Sequence, residues 1–141
     1  MRLMIDTNIF LDVLAKQEPF YERSRAVLKL CESRKVLGFL SASSVTDIFY
    51  LIHRRLHSVD AAYQAIGFIL DIAKVLTVTN EDVLNAYLQR ASDFEDCLLA
   101  TCAKANHCDA IVTRNKKDFL TFGITLLSPE ELLELYPSER E

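Results

Sequence analysis

Acidic and amide side chains recur in this sequence where short apolar runs give way to helical stripes. Asp6 directly follows Leu3-Met4-Ile5. Asp47 stands a few residues past the run at 36–40. Asp93, Glu95 and Asp96 precede a stripe that leads to a further apolar run at 110–113, and Asn115 and Asp118 follow that run. Carboxylates gathered at one place repel, and their pKa values rise unless a cation neutralises them. Mg²⁺ and Mn²⁺ take oxygen ligands, and Mg²⁺ keeps several of its waters. An ion held this way can bind a phosphodiester, polarise its oxygens and lower the pKa of an attacking water. That chemistry suits a nuclease or another phosphoryl-transfer enzyme.

A plainer role competes at each position. Ser44-x-x-Asp47 and Ser92-x-x-Glu95 both fit capping boxes, and acids near a helix N-terminus complement its dipole by about 0.3–1 kcal/mol each. Asp47, Asp93 and Glu95 taken singly read as capping acids. Asp6 does not: a carboxylate directly after a buried strand is not explained by capping alone. The coincidence of four acidic or amide segments favours a metal site.

For these groups to meet, the chain between them must alternate strands and helices. Strands are predicted at 3–5, 36–40, 75–78, 110–113 and 124–127. A first helix runs from a cap at Thr7 or Asn8 to Leu14, and a second from Pro19 to about Ser33. A third opens at Ser44 and carries Val45, Ile48, Phe49, Ile52 and Leu56 at 3–4 spacing. Ser58 caps a fourth, with Ala62, Ile66, Ile69 and Ala73 on one face. Residues 79–91 form a fifth, and Ser92 caps a sixth over 93–106. Ser128-Pro129-Glu130-Glu131 is a capping box with proline at the first helical position, opening a short last helix. The strand runs lack two-residue alternation, as when helices cover both faces of a sheet. The fold class is therefore α/β with a mostly parallel sheet. Right-handed crossovers bring all four segments to the C-terminal edge of that sheet, where sites of such folds lie.

The chain has 141 residues, 50% hydrophobic and 26% charged, which fits one domain over 1–141 and argues against disorder. A net charge of −4 argues against a broadly basic nucleic-acid coat. No apolar run approaches the ~18 residues that span a bilayer. The four cysteines form no Cys-x-x-Cys pair, and the first residues do not read as an export signal. Reduced thiols and a cytoplasmic location are expected.

Three stretches resemble PIN domains. Met4-Ile5-Asp6-Thr7-Asn8-Ile9-Phe10-Leu11-Asp12 is similar to the family's opening, and Asp93-Phe94-Glu95-Asp96-Cys97-Leu98-Leu99-Ala100 to its third acidic motif. Asp109-Ala110-Ile111-Val112-Thr113-Arg114-Asn115-Lys116-Lys117-Asp118-Phe119 is similar to its fourth. Their order and spacing cover nearly the whole chain. The resemblance implies a three-layer α/β/α fold around a parallel sheet of about five strands. It implies a ribonuclease dependent on Mg²⁺ or Mn²⁺. It also implies kinship with VapC-type toxins, which are inhibited by a small antitoxin and are commonly dimeric. Asp6 and Asp96 match the family's first and third acids. Asp47 stands where many members carry Glu, and Asn115 where the fourth acid often is. On this reading Asp6, Asp47 and Asp96 hold the metal, and Asn115, Asp93 and Asp118 complete the catalytic set. Thr113 supports the site through its hydroxyl.

An RNA substrate must approach an acidic pocket, and Arg114, Lys116 and Lys117 are the cations best placed to hold its flanking phosphates. Arg54 and Arg55 read as a solvated helix face. His53 and His57 have zinc-binding spacing, but their basic neighbours oppose a cation. Cys102 reads as a core thiol. Phe20, Tyr21, Phe49, Tyr50, Phe68 and Tyr87 are expected in the core or on a dimer face. Haloacid-dehalogenase-like chemistry would need a second acid at Asn8, and receiver-like chemistry an acceptor aspartate after 75–78; neither is present. The rival that stays open is a PIN-like scaffold that binds RNA or a protein partner without cleaving.

Overall fold

A computed structural model describes residues 1–137. Among them, five strands form one parallel sheet and seven α-helices flank it. In chain order the elements are β1 (Arg2–Ile5), α1 (Thr7–Leu14), α2 (Tyr21–Glu32), β2 (Leu37–Ser41), α3 (Ala42–Leu56), α4 (Val59–Ile72) and β3 (Ala73–Leu76). They continue as α5 (Asn80–Gln89), α6 (Phe94–Ala105), β4 (Ala110–Val112), a 3-10 turn (Lys116–Phe119), β5 (Leu126–Leu127) and α7 (Pro129–Leu135). The sheet order is β3-β2-β1-β4-β5.

Side-chain alternation along the strands divides the core in two. Leu3, Ile5, Leu40, Ala110 and Val112 pack on one face with Ile9, Phe10, Val27, Ile48, Ile69 and Leu132, which come from α1, α2, α3, α4 and α7. Met4, Phe39 and Ile111 point the other way, onto Ala86, Cys97, Ala100, Cys102, Phe119 and Phe122. This is the three-layer α/β/α fold expected from the sequence, with every pairing parallel. Cys102 is fully buried, as expected of a core thiol. Gly38 lets α2 approach β2: a Cβ there would lie 2.6 Å from Cys31 Sγ.

From β1 the order runs outward through β2 and β3, then returns across the sheet to β4 and β5. The reversal lies between β1 and β4. Neighbouring loops at such a switch point diverge to opposite faces and leave a crevice at the C-terminal strand ends.

Several boundaries differ from the sequence reading, for local reasons. The second helix starts at Tyr21, two residues past Pro19. The third starts at Ala42, capped by Ser41, whose hydroxyl accepts from the Ser44 N–H at 3.3 Å. Ser44 is thus inside the helix, the expected Ser44–Asp47 box does not form, and Asp47 lies in the second turn. The sixth is capped by Asp93 rather than Ser92. Tyr50 and Tyr87 stay out of the core, at 59% and 53% exposed, while Phe10, Phe39, Phe119 and Phe122 fill it.

Candidate active site

Asp6 stands at the switch point. Its backbone N–H donates to Val112 O at 3.0 Å, extending the β1–β4 ladder by one residue. It occupies the N-cap position of α1, with Thr7 and Asn8 as the first helical residues, yet its side chain makes no capping bond. Instead Asp6 Oδ2 accepts a 2.8 Å hydrogen bond from the Thr113 hydroxyl just past β4. Thr113 is fully buried and Asp6 only 7% exposed. The same hydroxyl accepts from the Asn115 N–H at 3.0 Å. Burial pushes the Asp6 carboxyl above the usual carboxylate range, and the Thr113 hydrogen bond opposes the shift.

Around Asp6 opens a pocket of about 500 Å³. Its walls include Asp47 from α3, Asp93, Glu95 and Asp96 at the start of α6, and Asn115 and Asp118 after β4. The four acidic and amide segments are thus brought to one cavity. Asp93 spends one carboxylate oxygen on the cap, accepting from the Asp96 N–H at 3.0 Å. The Asp47 and Glu95 carboxyls lie within hydrogen-bonding reach of each other. That contact, with partial burial and the charges of Asp47, Asp93 and Asp96, pushes Glu95 up to about 7. Desolvation, then the charges of Asp93 and Asp6, pushes Asp96 up to about 7. A pocket of this kind holds protons at neutral pH that a cation would displace.

The donor set fits a hard divalent ion: carboxylate and amide oxygens, with no thiol or imidazole in the pocket wall. Among the described residues no three Asp, Glu, His or Cys side chains are already gathered into a metal clasp.

The three cations expected at substrate phosphates are placed differently. Arg114 turns away from the pocket and forms a fork with Asp12: Nε to Oδ2 at 2.8 Å and Nη2 to Oδ1 at 2.9 Å. Its guanidinium lies 3.8 Å from the Phe20 ring centroid. Its Nε and Nη2 are thereby engaged by Asp12. Lys116 reaches both oxygens of Glu131, at 2.9 and 3.0 Å, in an exposed pair. Lys117 is exposed.

Two acids stand out beyond the sequence-based set. Glu95 reads as a capping acid in sequence but lines the pocket with Asp47, whose carboxyl helps to raise its pKa. Asp12 carries a stronger signal: an acid on the apolar side of α1 beside Ile9 and Phe10, fully buried, must have a partner.

The PIN domain profile matches residues 2–117, and the chain belongs to the PIN domain family. No curated protein matches the sequence. Several solved structures share the fold. VapC20 of Mycobacterium tuberculosis, described as a sarcin-ricin loop cleaving toxin, is 17% identical with a TM-score of 0.68, over 87% of this chain and 96% of that one. DNA-bound VapBC from Salmonella typhimurium is 19% identical, with a TM-score of 0.70 over 92% and 98%. FitAcB from Neisseria gonorrhoeae is 19% identical, with a TM-score of 0.63 over 91% and 98%. At these identities the likeness is one of fold.

Proposed function

We propose that this protein is an endoribonuclease dependent on Mg²⁺ or Mn²⁺, and the toxin of a toxin–antitoxin pair. The observation that carries the reading is the meeting of carboxylates from separate segments in one pocket, two of them pushed up to about 7 by crowding and burial. Membership of the PIN family supports it, as do a sarcin-ricin loop cleaving toxin and a toxin–antitoxin complex from Klebsiella pneumoniae among the similar folds.

Asp6, Asp47 and Asp96 would hold the ion, which when bound supplies electrostatic stabilisation of the phosphate oxygens and a more acidic attacking water. Thr113 fixes Asp6 in place. Asn115, through its amide, and Asp118 orient the water for in-line displacement at phosphorus. Asp93 keeps the start of α6, and with it Asp96, in register. Lys117 and, on release from Glu131, Lys116 would meet flanking RNA phosphates. The expected partners are an RNA substrate, an antitoxin protein and a second copy of the chain. α5 offers Val83, Leu84, Tyr87 and Leu88 on its exposed side for that homodimer. The protein would act in the cytoplasm. No helix among the described residues is long and apolar enough to cross a membrane.

A second reading rests on Asn115, which is neutral where the family often has its fourth acid: a scaffold that binds RNA or protein without cleaving. Cleavage of a fluorogenic single-stranded RNA by protein freed of partners, with Mn²⁺, Mg²⁺ or EDTA, separates the two. Metal-dependent cleavage that Asp6→Asn abolishes is the expected result. Metal binding without cleavage would favour the scaffold, and cleavage indifferent to Asp6→Asn would overturn the site.

A further inference from the structure

We propose that Asp12 and Arg114 form a clamp that positions the active-site turn at 113–115, and that Arg114 is a positioning residue with no role at substrate phosphate. The inference rests on the proposed function, its kinetic arm on the nuclease and its titration arm on the metal site.

The geometry carries it. Asp12 is fully buried, and four donors converge on its carboxylate. Arg114 supplies two of them, and Ser24 Oγ donates to Oδ2 at 2.7 Å. The Gln17 amide, oriented to satisfy both its ends, donates to Oδ1 at 3.0 Å and accepts from Arg55 at 2.9 and 3.1 Å. The guanidinium is held along its edge by this fork and across its face by Phe20. Both contacts are specific to arginine, because an ammonium is neither planar nor bidentate.

The residues on either side of Arg114 serve the pocket, one through Asp6 and one directly. Thr113 holds Asp6, and Asn115 lines the wall. Arg114 points instead into a separate small cavity beside Phe20, Ser24 and Pro129. Pinning the middle side chain there fixes both the buried Thr113 hydroxyl that holds Asp6 and the Asn115 side chain in the wall. A buried ion pair contributes little net stability against an apolar replacement. Placing an active-site turn is therefore the better account of why this one is built so completely. Residues that orient ligating groups typically contribute about 10–100-fold to metal affinity or activity.

The test compares wild type, Arg114→Lys, Asp12→Asn and the double variant, each below its own melting temperature. Mn²⁺ affinity is read by calorimetry, and kcat, KM and the salt dependence of KM with RNA. Arg114→Lys keeps the charge and loses the fork. The expected result is a roughly tenfold or greater loss in both Mn²⁺ affinity and kcat, with KM and its salt slope unchanged. Asp12→Asn reproduces the loss, and the double variant is no worse than the worse single one. A raised KM with wild-type kcat and Mn²⁺ affinity in Arg114→Lys would make Arg114 a phosphate contact and overturn the proposal. So would an Asp12→Asn protein with a lower Tm but unchanged Mn²⁺ affinity and kcat. If wild type cleaves no RNA, the nuclease reading fails, and the Mn²⁺ titration still decides the clamp.

Discussion

Replacing Thr113 by valine isolates one hydroxyl that serves two partners. The Thr113 hydroxyl donates to Asp6 Oδ2 at 2.8 Å and accepts from the Asn115 N–H at 3.0 Å. A hydrogen bond to a charged group is worth about 1.5–3 kcal/mol, and a neutral one roughly 0.5–1.5. The extra methyl returns about 0.8 kcal/mol in this fully buried position. The net cost is roughly 1–4 kcal/mol at pH 7, with no change in side-chain shape. Serine at 113 keeps both bonds and loses only a methyl, so Thr113→Ser should cost about 1 kcal/mol. The pH dependence supplies a second check. The Thr113 bond favours ionised Asp6, so the stability it contributes is present while Asp6 is charged. That contribution is lost as pH falls through the Asp6 folded pKa, which burial holds above the ordinary range. Urea denaturation at pH 7 and again near pH 4 measures both. A Thr113→Val protein within about 0.5 kcal/mol of wild type at pH 7 would refute the reasoning, as would a cost that did not shrink in acid.

Glu95 and Asp96 carry folded pKa values raised to about 7. Each holds its proton more tightly folded than unfolded. Their contribution to stability is full below the ordinary carboxylate range and is lost as pH rises from about 4 through 7. The metal-free protein should therefore melt at lower temperature at pH 7.5 than at pH 5.5, with the sign reversed by saturating Mn²⁺; a thermal scan at both pH values, with and without metal, tests it. Gly38→Ala sets a Cβ 2.6 Å from Cys31 Sγ and should cost about 1–3 kcal/mol by overpacking. Cys31→Ala in the same protein should relieve most of that cost, which a denaturation cycle over the four proteins would show.

Much of the fold is legible in the chain because its determinants are local. Leu3-Met4-Ile5, the run at 110–113 and the 3–4 spacing of Val45, Ile48 and Ile52 each declare an element from within a few residues. Ser58 and the Ser128–Glu131 box mark helix starts where the structure has them. The differences are small displacements: β3 runs Ala73–Leu76 rather than 75–78, and two helix starts shift between competing caps. Ser41 and Ser44 both offer a hydroxyl, and the end of β2 chooses Ser41; Ser92 and Asp93 compete likewise, and Asp93 takes the cap. Moving the first of these caps by three residues carries Asp47 out of the first turn, which removes the plain capping account of that acid.

The acids themselves could be singled out from the sequence, because a carboxylate at the end of a buried strand or ahead of a stripe is conspicuous whatever it faces. Their partners could not. Thr113 and Asp6 are 107 residues apart, and Arg114 and Asp12 are 102 apart. Those pairings exist because the sheet order reverses between β1 and β4 and brings the two strand ends together. In sequence, Arg114 stands beside Lys116 and Lys117 and reads as one more basic side chain for RNA. In the fold, the turn directs it away from its neighbours, onto an acid buried in α1. Glu95 likewise reads as a cap until α3 and α6 set it against Asp47. Residue type and spacing determined which groups could do chemistry. Topology decided which of them meet, since a side chain's charge is its own while its partner is fixed by the packing of distant segments.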